Sequence, residues 1–377
     1  MKKVKLGDLG KIITGNTPSK KTLEFYDSND IPFIKPDDFK TIDEISSSKG
    51  NKNYISENAR NSARVVPKNS VLVTCIGIIG KVMISESELS FNQQINAIVP
   101  KELILSKYLA YLLLYNKPKL DFISNAPVVP IINKTQFSEF EVTFHDDIDV
   151  QEKIIQNLEN LDNQILKRRH QSRLLLNLVK SRFNEMFGDI FDNPQSKLED
   201  HTELNPNKKE LLNFNGNVSF LPMSNVSENG KIDLSINRNI DDVRKGFTFF
   251  RDNDVIVAKI TPCFENGKGA PVFGLLNGVG FGSTEFHVLR PKNTVNTLWL
   301  YHVTMLSKFR LEGERKMTGT GGQRRITKDF INNFKLNIPP LSLQNEFADF
   351  VAQVDKSQFA CQMSIKMWRN SLKSSII

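Results

Sequence analysis

Residues 151–188 read QEKIIQNLENLDNQILKRRHQSRLLLNLVKSRFNEMFG, and the spacing of their apolar side chains decides the architecture. Ile154, Leu158, Leu161 and Ile165, then Leu175 and Val179, alternate steps of four and three. That spacing predicts one long helix with a narrow apolar seam of the coiled-coil type. Arg168 and Ser172 fall on the seam midway, where polar residues fix register. No proline interrupts the run, and Gly188 followed by Pro194 supplies a stop. At ~1.5 Å per residue the helix is about 55 Å long.

The seam returns at the end of the chain. Adding 193 to each position gives Phe347, Val351, Val354, Gln358, Cys361, Ile365, Trp368 and Leu372. Cys361 packs as a small hydrophobe in such a setting. Two matched seams in one chain are expected to bury against each other as an antiparallel pair. Two separate partner-binding helices are the alternative.

The 377 residues exceed one ordinary core, so at least two domains are expected. With 39% hydrophobic and 24% charged residues, the composition is that of a soluble globular protein. No apolar run approaches the ~20 residues of a membrane span, and the N-terminus has no signal-peptide core, so no membrane is expected. Cys75, Cys263 and Cys361 are isolated, with neither metal spacing nor a disulfide framework. They fit a reducing compartment, and a cytoplasmic protein is expected. The net charge of +8 suits a polyanion partner, although a solvated basic surface has the same sum.

The globular parts also repeat. Val71–Leu72–Val73 after Lys68–Asn69–Ser70 matches Val255–Ile256–Val257 after Asp252–Asn253–Asp254. Pro100–Lys101 matches Pro291–Lys292, Tyr108–Leu109 matches Trp299–Leu300, and Ile132, Lys134 and Phe140 match Ile326, Lys328 and Phe334. Gln151 matches Gln344 at the head of each long helix. Short β-rich runs split by Gly, Asn and Pro turns, each set followed by a helix near Lys107–Tyr115 or Thr297–Arg310, predict an α+β fold. The expected divisions are a globular unit over 1–147, a long helix over 148–190, a second unit over 191–340 and a long helix over 341–377. An antiparallel helix pair would set the two units at opposite ends of a rod about an approximate twofold axis, as a duplex with two half-sites requires. Because the copies differ in sequence, the half-sites should differ. Pro339–Pro340 leads into the second helix, whereas His145–Asp146–Asp147 precedes the first, so the start of the first helix must be built differently.

Polar loops recur at matching places. Lys259, Thr261 and Lys268 lie among the glycines of the second copy, and Thr74 and Lys81 lie beside Gly77 and Gly80 in the first. Short or basic side chains flanked by glycine suit phosphate and base edges, and a plain β-turn explains the same pattern. Thr318–Gly319–Thr320–Gly321–Gly322–Gln323–Arg324–Arg325 is the most DNA-like segment. Arg324 and Arg325 offer bidentate donors, and Gln323 and Thr320 offer further contacts, unless this is an ordinary solvated basic loop. Its expected counterpart, Ser124–Asn125–Ala126–Pro127, has no arginine. Asn92–Gln93–Gln94 aligns with Ser283–Thr284–Glu285; Asn92, Gln93, Ser283 and Thr284 are further base-edge candidates, or satisfiers of local backbone, and Lys35 completes the candidate set. No catalytic residues are assigned. Gly77–Ile78–Ile79–Gly80–Lys81 is too short for a phosphate loop and ends in Val82. The histidines at 145, 170, 201, 287 and 302 have no metal spacing.

In this arrangement the sequence resembles the DNA-specificity (S) subunit of type I restriction–modification systems. The resemblance rests on the repeat, the two helices and phrases such as Asp254–Val255–Ile256–Val257–Ala258–Lys259–Ile260–Thr261–Pro262–Cys263–Phe264–Glu265–Asn266–Gly267–Lys268–Gly269. Ser283–Thr284–Glu285–Phe286–His287–Val288–Leu289–Arg290–Pro291, Phe91–Asn92–Gln93–Gln94–Ile95–Asn96–Ala97 and Pro339–Pro340–Leu341 ahead of Gln344 add to it. It implies two target-recognition domains, each reading half of an asymmetric bipartite duplex, with the helices as a ruler between them. It also implies assembly with two methylation subunits carrying S-adenosylmethionine and with restriction subunits that use ATP and Mg. The chain itself would supply address without chemistry or cofactor. A stand-alone restriction or modification enzyme and a coiled-coil adaptor are the competing readings.

Overall fold

The computed structural model describes residues 1–124, 129–212, 214–320 and 322–375, with side chains in the last stretch described to residue 371. The chain divides into two compact units, Met1–His170 with Cys361–Ile377, and Gln171–Ala360. Each long helix therefore contributes part of its length to each unit.

In the first unit the strand Val71–Thr74 is buried along its whole length. It lies inside a five-stranded sheet, paired with Ile95–Pro100 on one side and Val82–Ile84 on the other. A run of β-branched and leucine side chains covered on both faces favours that central place. Its equivalent, Val255–Ala258, is also wholly buried, between Phe286–Pro291 and Gly269–Pro271. Asn69 and Asn253 precede these strands with φ of 67° and 72°, the left-handed turn that asparagine tolerates. A second sheet in each unit is built around a parallel pair, Ile31–Ile34 beside Leu89–Phe91 and Asn217–Leu221 beside Val279–Gly282.

The repeat extends to the edges. Lys2–Lys5 pairs with Glu141–Phe144, and Ser196–Lys197 pairs with Lys335–Leu336. A four-residue helical turn follows each first strand, Leu6–Leu9 and Leu198–His201. In both, the backbone N–H of the preceding lysine (Lys5 or Lys197) donates to the aspartate three residues on, Asp8 or Asp200.

The central helix spans Ile148–Phe187 and the C-terminal helix Leu341–Ser375. Every seam position from Ile154 to Val179 and from Phe347 to Trp368 is buried or half-buried, as the four–three spacing predicts; the Leu372 side chain lies outside the described residues. Leu158 and Ile165 enter the core of the first unit together with Ile365 and Trp368, and the Arg168 guanidinium lies 5.9 Å from the Trp368 ring centre. Val179 and Phe183 enter the core of the second unit with Phe347, Val351 and Val354. The order of these contacts runs in opposite directions along the two helices, which makes the pair antiparallel. At the central helix C-terminus, Gly188 adopts φ +60° and its N–H donates to the Asn184 carbonyl.

The start of the central helix is built without a proline pair, as its sequence requires. Asp147 Oδ1 accepts from the N–H groups of Asp149 and Val150, a side-chain cap in place of the prolines. The two helix starts nevertheless share one device. Gln151, fully buried, accepts from Leu105 N–H and donates to the carbonyls of Leu103 and His145. Gln344, also fully buried, accepts from Asn296 N–H and donates to the carbonyls of Thr294 and Pro339. One amide thus fastens the head of each long helix to its own unit.

Candidate nucleic-acid interface

The predicted polar loops of the second unit converge. Lys259 N–H donates to the Glu285 carbonyl at 2.8 Å, and Ile326 N–H donates back to the Lys259 carbonyl at 2.9 Å. Thr261 ties the arginine loop down: its N–H donates to the Arg324 carbonyl, its hydroxyl donates to the Gly322 carbonyl at 2.7 Å, and its Oγ1 accepts from Arg324 N–H. Three segments about 25 to 40 residues apart in sequence therefore present Lys259, Thr261, Ser283, Thr284, Gln323, Arg324 and Arg325 on one platform.

Their charges are not all free. The Arg325 guanidinium grips both carboxylate oxygens of Glu285 at 3.0–3.2 Å. That hydrogen bonding is the main cause holding the Glu285 carboxyl below its usual range. Arg324 is exposed, with Glu265 3.7 Å away. Thr320, Gln323 and Thr284 are exposed, whereas Ser283 is half-buried and its Oγ accepts from Glu285 N–H. Lys268 stands apart, donating to the Met223 carbonyl from a half-buried position.

His287 braces the platform from below. It is 4% exposed, with Nε2 3.1 Å from the Ile326 carbonyl and Nδ1 3.2 Å from the Asn205 amide. This assigns the proton to Nε2, with Nδ1 accepting from Asn205. Burial holds the imidazole neutral, its pKa lowered to about 4. The equivalent position in the first unit is Asn96, which accepts from the Thr14 hydroxyl at 2.6 Å and donates to Cys75 Sγ at 3.3 Å.

The first unit repeats the backbone of the platform with other side chains. Cys75 N–H donates to the Gln94 carbonyl, Ile132 N–H to the Cys75 carbonyl, and Gly77 N–H to the Pro130 carbonyl. Ile76 bridges Ile131 as Ile260 bridges Arg325. This register corrects the expected counterpart of the arginine loop. Val129–Pro130–Ile131, not Ser124–Asn125–Ala126–Pro127, stands where Gln323–Arg324–Arg325 stands; residues 125–127 lie outside the described residues.

Two first-unit candidates face inward, which corrects their assignment to an interface. Thr74 is 1% exposed, and its hydroxyl closes the turn by donating to Ile78 O while accepting from Lys81 N–H. Asn92 is 8% exposed, and its amide folds onto Gln94. Short polar side chains beside a strand end satisfy the local backbone instead. Gln93 is exposed and accepts from the Thr17 hydroxyl. Lys35 donates to Asn53 Oδ1 at 2.6 Å, and Lys81 is half-buried at the turn. Glu285, His287 and Ile131 went unassigned at the sequence level. The opposite charges of Glu285 and Arg325 are 40 residues apart, so no local spacing marks them as a pair.

The sequence matches the family model of the type I restriction modification DNA specificity domain twice, over residues 1–174 and 190–366. The chain belongs to that family. A specificity subunit of this family, the type I restriction enzyme EcoAI specificity subunit of Escherichia coli, is 40% identical over 145 residues, which is 38% of this chain and 24% of that protein. The chain thus spans about a quarter of that relative's length in the match. The S subunit of the type I restriction–modification system from M. genitalium aligns over 100% of this chain and 96% of its own at 12% identity, with a TM-score of 0.51. A chain from a structure of type I restriction–modification complex assembly and conformational transition aligns over the same shares at 12% identity and a TM-score of 0.58. At that identity both speak for a shared fold. Among the described residues no group of His, Cys, Asp and Glu is arranged to hold a metal, and no helix is long and apolar enough to cross a membrane.

Proposed function

We propose that this chain is the specificity subunit of a cytoplasmic type I restriction–modification complex and reads an asymmetric, bipartite duplex DNA target. Each unit reads one half, and the antiparallel helices set the spacing between halves. The observation that carries the reading is one hydrogen-bonded platform built twice, with Gln323, Arg324 and Arg325 on the second copy and Val129, Pro130 and Ile131 on the first. A repeated scaffold with unlike tips suits a target whose halves are unlike. Arginine and glutamine read guanine and adenine edges, and lysines such as Lys259 serve phosphates. Methylation and cleavage belong to partners in this reading: two methylation subunits with S-adenosylmethionine, and restriction subunits with ATP and Mg.

The test is a map of methylated sites in a host carrying the intact system, repeated after residues 1–147 are exchanged for the matching segment of another family member. Change in one half of the methylated target alone is the expected result. Change in both halves, or in neither, would overturn the modular reading.

A further inference from the structure

The first unit carries an apolar tip where the second carries a basic one. Ile78, Val129 and Ile131 are 59%, 43% and 39% exposed. Val129 and Ile78 each adjoin the residues of the Pro130–Gly77 hydrogen bond, and Ile131 adjoins the same bond through its bridge to Ile76. The counterpart of the Arg325–Glu285 ion pair is thus Ile131 with Gln94, which keeps the platform and removes both charges. All three tip residues are β-branched and stiff at χ1, so they hold a fixed apolar shape in solvent. Basic residues flank them. Lys81 ends the turn, and exposed Lys134 lies three residues beyond Ile131. Neither has an acidic partner among the described residues.

An apolar tip with a lysine three residues after Ile78 and another three residues after Ile131 fits one feature of a duplex groove. The lysines complement phosphates, and the thymine 5-methyl is the apolar group that the major groove displays. We infer that Ile78, Val129 and Ile131 form a thymine-methyl reader, so that the half-site of the first unit contains a thymine recognised by its methyl group. The inference rests on the proposed DNA-reading function and extends it to the chemistry of one half-site. It makes the two halves different in kind: the first read by apolar contact, the second by hydrogen bonding from Gln323 and Arg324.

The test selects duplexes from a randomised library with the full-length chain, then replaces each thymine of the enriched sequence by deoxyuridine, which removes the methyl and keeps the base pair. One thymine in one half should respond with a loss of affinity of about three- to tenfold, the effect expected for one buried methyl or slightly more. Ile131→Ala should abolish that response, while Arg324→Ala should leave it intact and weaken selection in the other half. Rebuilding the second unit's pair with Ile131→Arg and Gln94→Glu together should move the preference at that position away from thymine. Because Ile131 is exposed, an unchanged melting temperature would show that these variants fold. Should no duplex be enriched, the DNA-reading function fails and the inference falls with it. Should a two-part sequence be enriched but ignore deoxyuridine, or respond equally with Ile131→Ala, the DNA-reading function stands and the thymine-methyl reader is overturned.

Discussion

Arg325 is held by Glu285 through both carboxylate oxygens at 3.0–3.2 Å, so the cation that sequence alone offers to DNA is already half engaged. The pair orients the guanidinium and offsets its charge. Glu285→Gln removes that offset. Non-specific duplex affinity should rise, and the dependence of log K on log salt should steepen by about 0.9, one extra phosphate contact. Fluorescence anisotropy across a salt series reads both. An unchanged slope would place Arg325 away from the duplex.

The loosely paired arginine, Arg324, should behave differently from the doubly held Arg325. Arg324→Ala should cost about 1–3 kcal/mol and relax selectivity at one base pair if Arg324 makes a bidentate base contact. A uniform loss over all sequences, measured at fixed salt, would assign it to phosphate instead.

Gln151 and Gln344 predict a stability effect with a functional echo. Each amide is fully buried and makes three hydrogen bonds to backbone. Replacing either by alanine strands an amide N–H and two carbonyls, at a cost of about 1–3 kcal/mol for each group left unsatisfied. Urea unfolding should show a lower midpoint for both variants. Because each amide fixes a helix head to its unit, either variant should also blur the spacing between half-sites in a methylation map, if the chain reads a two-part target as proposed.

Aromatic packing makes Phe183 a sensitive point on the central helix. Its ring meets Phe347 edge-on at 5.3 Å and Phe187 at 4.8 Å, with Trp299 at 6.4 Å. Phe183→Ala should destabilise the chain by about 3–5 kcal/mol. Leu174→Ala, at a 51% exposed position of the same helix, should cost far less. Equal losses in denaturant titrations would argue against a seam confined to one face.

His287 gives the protein a weakness to acid. Its pKa is about 4 in the folded chain, against an ordinary value of 6.5. Above pH ~6.5 both folded and unfolded chains hold it neutral, and its effect on stability is constant. As pH falls from ~6.5 to ~4 the unfolded chain takes the proton first, so stability declines by up to roughly 3 kcal/mol. Below ~4 this residue causes no further loss. His287→Asn, which copies the side chain of Asn96 in the first unit, should flatten that part of the stability–pH curve. A slope equal to that of the unaltered protein would show that another group titrates there.

Periodicity and repetition make the frame legible. A four–three seam leaves a helix one way to bury its apolar stripe, and two matched stripes predict the antiparallel pair. The strand runs around Val71 and Val255, with their asparagine turns, are readable for the same reason: the pattern is local and the sequence states it twice. Thr74 and Asn92 show where local reading stops. Thr74 closes a strand ahead of a glycine turn and Asn92 follows a strand in a polar run, settings shared by ligand-binding turns and by turns that satisfy themselves. Only the hydrogen bonds to Ile78, Lys81 and Gln94 show which kind these are.

The sequence by itself determined that this protein has two unlike copies of one α+β unit, each leading into a long helix, because burial of spaced apolar residues is written in the order of the chain. Tertiary structure alone decided which side chains share a surface: that Glu285 restrains Arg325, and that Thr74 and Asn92 turn inward to their own loops. The ion pair joins residues 40 apart in the chain where separate loops meet. Which loops meet is a cooperative outcome of tertiary packing, and no spacing within one loop encodes it.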